Sequence, residues 1–201
     1  MEKYYKAYKH INEYGGIIRT GQAIKAGIAP KTLYDMLADG IITRIARGVY
    51  TLAGHRLTSN PDLITVAVKY PSSVVCLISA LNYYNLTEQI AYFVYIALPR
   101  GVRKPQLSYP PLKIIWLSEK IYDAGIQEVT IDNTPIKIYS PEKTITDCFK
   151  FRNKYGLDVA IDALKRYLAL PASKQDFDSL MYFARLNRVE KIMLPHIQAL
   201  A

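Results

Sequence analysis

Residues 15–52 read GGIIRTGQAIKAGIAPKTLYDMLADGIITRIARGVYTL, and their punctuation decides the fold of the N-terminal part of the chain. Thr20, an N-cap residue type, and Gly27, which tolerates left-handed backbone, bracket a short first helix. Pro30 has a fixed φ suited to the first helical position and predicts a second helix running to Gly40. Leu33, Met36 and Leu37 recur at the spacing of one buried face, which leaves Lys31, Thr32, Tyr34 and Asp35 to solvent or a ligand. After Gly40 the period falls to two. Ile41, Thr43 and Ile45 alternate with Ile42, Arg44 and Ala46, and Arg47-Gly48 turns the chain into Val49-Tyr50-Thr51-Leu52. Helix, turn, helix and basic hairpin together predict a winged helix-turn-helix.

Such a unit has a simple chemistry. A helix N-terminus can approach base edges in a major groove, while its amide dipoles and nearby Lys and Arg neutralise phosphates. The groove-facing candidates are Pro30, Lys31, Thr32 and Tyr34, with Arg44 and Arg47 on the wing and Thr20 and Gln22 opening the supporting helix beside the backbone. The partner expected on this reading is double-stranded DNA. The competing reading is a winged helix used for protein contacts, its charges merely solvated.

Composition and charge are consistent with the first reading. The 201 residues are half hydrophobic and 21% charged, enough for one large or two small domains with a sizeable core. Net charge is +9, and residues 1–56 hold nine Lys or Arg against four Asp or Glu. Residues 57–130 hold six against five, and residues 131–201 eleven against eight, so the excess is densest at the winged helix. Cys76 and Cys148 have no close spacing to each other or to His10, His55 and His196, which argues against a zinc pattern or a disulfide framework. Both read as small core residues, and no metal or other cofactor is expected. Met1 to Tyr14 is charged and aromatic, unlike a signal peptide, and the longest apolar run stops at Ser79; a cytoplasmic location is the natural expectation.

Working outward, Glu2 to Tyr14 predicts an opening helix in which Tyr5, Tyr8 and Ile11 close over the winged-helix core. Gly54 to Asn60 is the expected linker, with Ser59 or Asn60 capping a helix from Pro61 to Lys69. The expected domains are therefore residues 1–56 and 57–201. In the second, Val74 to Leu77 leads into a helix reaching Tyr83 or Tyr84, and strands follow at Tyr92 to Leu98 and Leu112 to Leu117. The loop between those strands displays Arg100, Arg103 and Lys104 as a secondary basic surface. Ile126 to Tyr139 predicts a hairpin turning at Asp132-Asn133-Thr134. Ser140 and Pro141 then cap and open a helix with Ile145, Cys148 and Phe149 on one side. Lys143, Asp147, Lys150 and Lys154 fall on the other, as an exposed ion-pair ladder. Helices at Leu157 to Leu168, Ser173 to Leu186 and Arg188 to Leu200 close the chain. The fold class is α+β: an N-terminal winged helix-turn-helix and a mixed α/β C-terminal domain ending in a helical bundle.

The winged helix ending in RGVY, followed in order by CLISALNYY, IALPRGVRKP, YSPEKTITDCFKFRNKYGLDVAIDALKRYL and RLNRVEKIMLPHIQAL, resembles the AbiEi family, the antitoxins of type IV toxin-antitoxin and phage-abortive systems. The resemblance implies a bacterial cytoplasmic protein whose winged helix represses its own operon and whose C-terminal domain provides antitoxin activity. It also implies a cognate nucleotidyltransferase-like toxin, opposed without a stable complex, and no membrane partner. Carried onto this sequence, the repressor role falls on Lys31, Thr32, Tyr34, Arg44 and Arg47. The antitoxin role falls on the exposed members of residues 140–155: Lys143, Asp147, Lys150, Arg152 and Lys154.

The sequence also bears on two other functional classes. A restriction-nuclease-like site needs an acid on one strand and a second carboxylate two residues before a lysine on the next. Asp132 and Lys137 are present, but Pro135 stands where the second carboxylate belongs, so the protein is expected not to be an enzyme. The alternative function is a winged-helix transcription factor whose C-terminal domain senses a small ligand or protein partner; an apolar pocket lined by tyrosines would favour it.

Overall fold

The structure, a computed structural model, describes residues 2–55 and 60–200. Its contacts divide the chain into two compact units. One comprises residues 1–73, 105–111 and 128–136, and the other residues 74–104, 112–127 and 137–201. The expected boundary between Arg56 and Leu57, and the expected cap Ser59, lie outside the described residues.

In the first unit a 3-10 turn, Glu2–Tyr4, leads into helix α1, Tyr5–Glu13. Its buried face is Tyr4, Ala7 and Ile11, whereas Tyr5 and Tyr8 are exposed. The expected Tyr5, Tyr8, Ile11 face is thereby corrected. A strict three-residue step drifts around a helix of 3.6 residues per turn, and the mixed step through Tyr4, Ala7 and Ile11 stays on the core side. The Tyr4 hydroxyl donates to Asp39 Oδ2 at 2.6 Å, fastening this helix to the end of the second helix of the motif. Strand β1, Ile17–Arg19, is too short to show alternation in sequence. Helix α2, Thr20–Lys25, helix α3, Pro30–Ala38, and strands β2, Ile42–Ala46, and β3, Val49–Leu52, follow. The three strands form an antiparallel sheet in the order β1-β3-β2. Ile11, Ile18, Ala23, Leu33, Met36, Ile42 and Leu52 meet in its core. Helix α4, Pro61–Lys69, starts and ends where the sequence predicts, and packs on β1 and β2 with Leu63, Ile64 and Val66 buried. Asn60 precedes it in left-handed backbone, with no side-chain cap.

The second unit is built on strands β4, Val74–Val75, β5, Val94–Pro99, and β6, Leu112–Leu117, with helix α5, Leu77–Tyr83, after the first of them and the short helix α6, Glu119–Tyr122, after the last. Strands β7, Ile126–Ile131, and β8, Thr134–Tyr139, form the expected hairpin. Its turn residues Asp132 and Asn133 have φ of 45° and 60°. That is the left-handed pair required by a two-residue turn between twisted strands. Residues 128–136, the tip of this hairpin, group with the first unit. There Gly15, at φ 74°, comes against the Asp132 carbonyl so closely that no side chain fits. The sheet order is β6-β5-β4-β8-β7, with β5 parallel to β6, β4 antiparallel to β5, and β4 parallel to β8.

Helices α7, Pro141–Lys150, α8, Arg152–Tyr155, α9, Leu157–Leu168, α10, Phe177–Leu186, and α11, Glu190–Leu200, complete the chain. Ser140 Oγ accepts from the Lys143 amide at 3.2 Å, the cap the sequence predicts. Asp176, not Ser173, caps α10 by accepting from the Ser179 amide at 2.9 Å; Ser173 lies in a separate 3-10 turn. Helix α7 is central, touching α5, α9 and α10. Leu77, Ile145, Phe149, Leu164, Leu180 and Met193 belong to the core around it. The whole is α+β: winged-helix region, mixed α/β part, closing helices. Among the described residues no helix is long and apolar enough to cross a membrane.

Candidate nucleic-acid interface

Pro30 and Lys31 open α3 and are exposed, Thr32 is half-buried, and Tyr34 is 60% exposed, while Leu33 and Met36 are buried in the core. The face the sequence assigns to a ligand is therefore the one that remains after packing. Ala29 precedes the helix in extended backbone without a side-chain cap, so the first amides of α3 are not satisfied by a capping side chain. This leaves a partial positive charge at that end.

The wing carries the rest. Arg44 and Arg47 are exposed, and Arg44 lies 5.9 Å from the centre of the Tyr50 ring, which steadies it. None of the ion pairs among the described residues takes up Lys31, Arg44 or Arg47. Thr20 and Gln22, expected beside the DNA backbone, are half-buried and held within the fold. The Thr20 amide and hydroxyl both donate to the Gly48 carbonyl, at 3.0 and 3.4 Å, tying α2 to the turn of the wing. Gln22 Oε1 accepts from the Arg19 amide at 3.0 Å, so Arg19 rather than Thr20 occupies the cap position of α2.

Two cations join the wing that the sequence reading omits. Lys69, at the end of α4, donates through Nζ to the Arg47 carbonyl. Burial first, then the nearby guanidinium groups of Arg19, Arg47 and Arg44, lower the Lys69 pKa. Arg19, Arg44, Arg47 and Lys69 thus form one basic cluster in the first unit. No local motif signals Lys69, because 21 positions separate it from the wing turn and only the packing of α4 brings it there.

The expected antitoxin ladder is corrected at its centre. Lys143 and Asp147 are 0% and 1% exposed, and Lys143 Nζ donates to both Asp147 oxygens at 2.6 Å. Asn187 Nδ2 donates to Asp147 Oδ1 at 2.8 Å and to Thr146 Oγ1 at 3.0 Å, and the Tyr167 hydroxyl donates to Glu142 at 2.8 Å. Every residue from Glu142 to Phe149 is buried because α7 is covered from more than one side. Its polar side chains are partnered inside the protein instead of being arrayed in water. Arg152 is half-buried and donates to the Phe149 carbonyl at 2.9 Å, and Lys150 is half-buried against Asn187. Of the five, Lys154 alone is exposed, its ammonium lying over the Tyr155 ring. Arg100, Arg103 and Lys104 are exposed, as expected of the basic loop. Asp132 lies in the hairpin turn rather than on the first strand, away from a nuclease-like register with Lys137.

No curated protein matches this chain. Over all of its length it is similar in fold to the crystal structure of the RV2827C protein from Mycobacterium tuberculosis, with a TM-score of 0.54, 13% sequence identity and 80% of that chain covered. At that identity the likeness concerns the fold alone. Residues 8–53, from α1 to the end of the wing, match the family model described as a transcriptional regulator, AbiEi antitoxin. The family resemblance stated from the sequence is thereby supported over the winged-helix segment, which is similar to that of AbiEi antitoxin transcriptional regulators.

Proposed function

We propose that this protein is a DNA-binding transcriptional repressor that autoregulates its own toxin-antitoxin operon. The observation that supports this most is the exposed start of α3, with Lys31 and Tyr34, in a motif whose wing presents Arg44 and Arg47 without carboxylate partners among the described residues. Such a surface neutralises phosphates and places short side chains at base edges. In this reading residues 1–56 carry operator contact, Lys69 adds to it from the next helix, and Arg100, Arg103 and Lys104 are a secondary basic surface. Residues 57–201 carry the second role, counteracting a nucleotidyltransferase-like toxin in the bacterial cytoplasm without a stable complex. The protein acts as a regulator rather than an enzyme. Within the 140–155 block the surface available for that role is Lys150, Arg152 and Lys154, since Lys143 and Asp147 are internal.

The test is a gel-shift titration of the full chain against the DNA immediately upstream of its own gene, with an unrelated duplex of equal length and a salt series. Specific, salt-sensitive retardation is the expected result. Equal binding to both duplexes would remove operator specificity from the proposal, and binding to neither would return the winged helix to a protein-contact role. For the antitoxin role, expressing the full chain beside the neighbouring nucleotidyltransferase gene should restore growth; continued arrest would remove that half of the proposal. A tyrosine-lined apolar pocket in residues 57–201 would favour the sensor alternative. The apolar cleft lined by Tyr4, Tyr5, Tyr8 and Ile41, about 160 Å³, belongs to the winged-helix unit and not to residues 57–201.

A further inference from the structure

The second unit contains an open cleft of about 760 Å³ lined by Arg100, Lys120, Lys150, Arg185 and Arg188, with Ser118 and Asn187 as neutral polar groups and Ile121 and Leu186 as an apolar flank. The five cations come from five separate places: the loop after β5, helix α6, the last residue of α7, the end of α10, and the turn between α10 and α11. The residues lining the cleft include no carboxylate. Glu190 approaches from outside it, pairing with Arg185 at 3.4 Å at the exposed rim.

This convergence is built rather than incidental. Arg188 is held at φ 59°, a left-handed conformation disfavoured for a side chain of its kind, and its amide donates to the Arg185 carbonyl at 3.0 Å. The Arg100 amide donates to the Leu117 carbonyl at 2.9 Å, fixing the start of its loop. Lys150 Nζ donates to Asn187 Oδ1 at 3.2 Å, and Asn187, itself buried, is locked by Asp147 and Thr146. The internal Lys143-Asp147 pair thus holds the asparagine that orients a cation at the cleft wall. Burial, and after it the neighbouring charges of Lys143, Arg188 and Arg100, lower the Lys150 pKa against the opposing pull of Asp147. Like charges gathered this way repel one another, and a multiply charged anion relieves the repulsion.

We infer that this cleft is a binding site for a nucleoside triphosphate, its phosphates held by Arg100, Lys120, Lys150 and Arg188 and its sugar and base seated on Ile121 and Leu186. The volume falls in the range of roughly 300–1,000 Å³ typical of small-molecule pockets, and the concavity suits a compact ligand better than a duplex backbone. Arg and Lys supply the charge-assisted hydrogen bonds that phosphate oxygens accept. Lys120, Arg185 and Arg188 take no part in the proposed operator contact, while Arg100 is shared with the secondary basic surface and Lys150 with the proposed antitoxin surface.

The test is calorimetric titration of the full chain, in magnesium-free buffer, with each ribonucleoside triphosphate, each monophosphate and inorganic triphosphate. Lys120→Ala and Arg188→Asn are titrated alongside, asparagine being chosen because it tolerates the left-handed backbone. A triphosphate should bind with one site per chain, and each variant should weaken it by about tenfold, the scale of one lost charge-assisted contact. Unchanged gel shifts and unfolding midpoints in both variants would show that the fold and the DNA surface are intact. Absence of heat with every triphosphate, or affinity unaltered in both variants, would overturn the site. Inorganic triphosphate binding as tightly as any nucleotide would overturn the seat for sugar and base. Loss of operator affinity in both variants, with no triphosphate binding, would reassign the cleft to the DNA backbone.

Discussion

The wing and helix α7 use the same residue types to opposite ends. In the wing, Arg44 and Arg47 stand in water without a carboxylate among the described ion pairs. In α7, Lys143 is shut into the core with Asp147 at 2.6 Å and the Tyr139 ring 4.3 Å away. A charge kept in water without a partner costs little and remains available to a ligand. A charge taken out of water needs its partner at once, because desolvation outweighs anything but good geometry. Exposure, not residue type, therefore separates a candidate contact surface from an internal brace.

Five variants test that contrast, beginning with the largest effect. Asp147→Ala leaves the Lys143 ammonium buried and uncompensated, and should lower unfolding stability by about 3–5 kcal/mol in urea titrations. The paired change Lys143→Met with Asp147→Leu should recover much of that loss; a single variant as stable as the parent would mean that the pair is open to solvent. Arg44→Ala with Arg47→Ala should leave stability within about 0.5 kcal/mol of the parent. The same pair should weaken operator binding and reduce its salt slope by about 2, the slope following the number of phosphates neutralised. An unaltered slope would remove the wing from the interface. Lys69→Ala should reduce the slope by about 1 or less, and no change would confine operator contact to residues 1–56. Lys154→Ala, in the same stretch as Lys143 but exposed, should shift stability by less than about 0.5 kcal/mol. A loss comparable with that of Asp147→Ala would erase the distinction between the two positions.

Deleting residues 1–56 would test separability poorly. Helix α4 buries Leu63, Ile64 and Val66 in the first unit and packs on β1 and β2, so the remaining chain would expose an apolar face. Point variants at Arg44, Arg47 and Lys154 in the full chain separate the two roles without that damage.

The difference between the regions also explains where sequence reading succeeds. In the winged helix, each signal is local. Gly27 and Gly40 take left-handed backbone after their helices, at φ of 80° and 68°, and Pro30 starts α3 as predicted. One face of each short element meets one core, so periodicity identifies the exposed residues at the start of α3 and on the wing, although in α1 it misplaces Tyr5 and Tyr8. The hairpin of β7 and β8, the helix cap at Ser140 and the burial of Cys76 and Cys148 were legible for the same reason. Helix α7 carries the same amphipathic pattern, with polar residues at spacings of three and four, yet that pattern presupposes water on the second side. Helices α9 and α10 and the side chain of Asn187 cover it instead, through contacts such as Tyr167 to Glu142, 25 positions apart, and Asn187 to Asp147, 40 positions apart.

The sequence alone sufficed for most of what a few neighbouring residues govern: the majority of helix starts and stops, the wing, the α+β class and the family resemblance over the winged helix. Tertiary structure alone decided which charges are buried and which converge. Lys69 reaches the wing, Lys143 and Asp147 vanish into the core, and five cations from five segments line one cleft. The physical reason is that desolvation and Coulomb interactions depend on distance in space, and distance along the chain constrains it only within a helix turn or a hairpin.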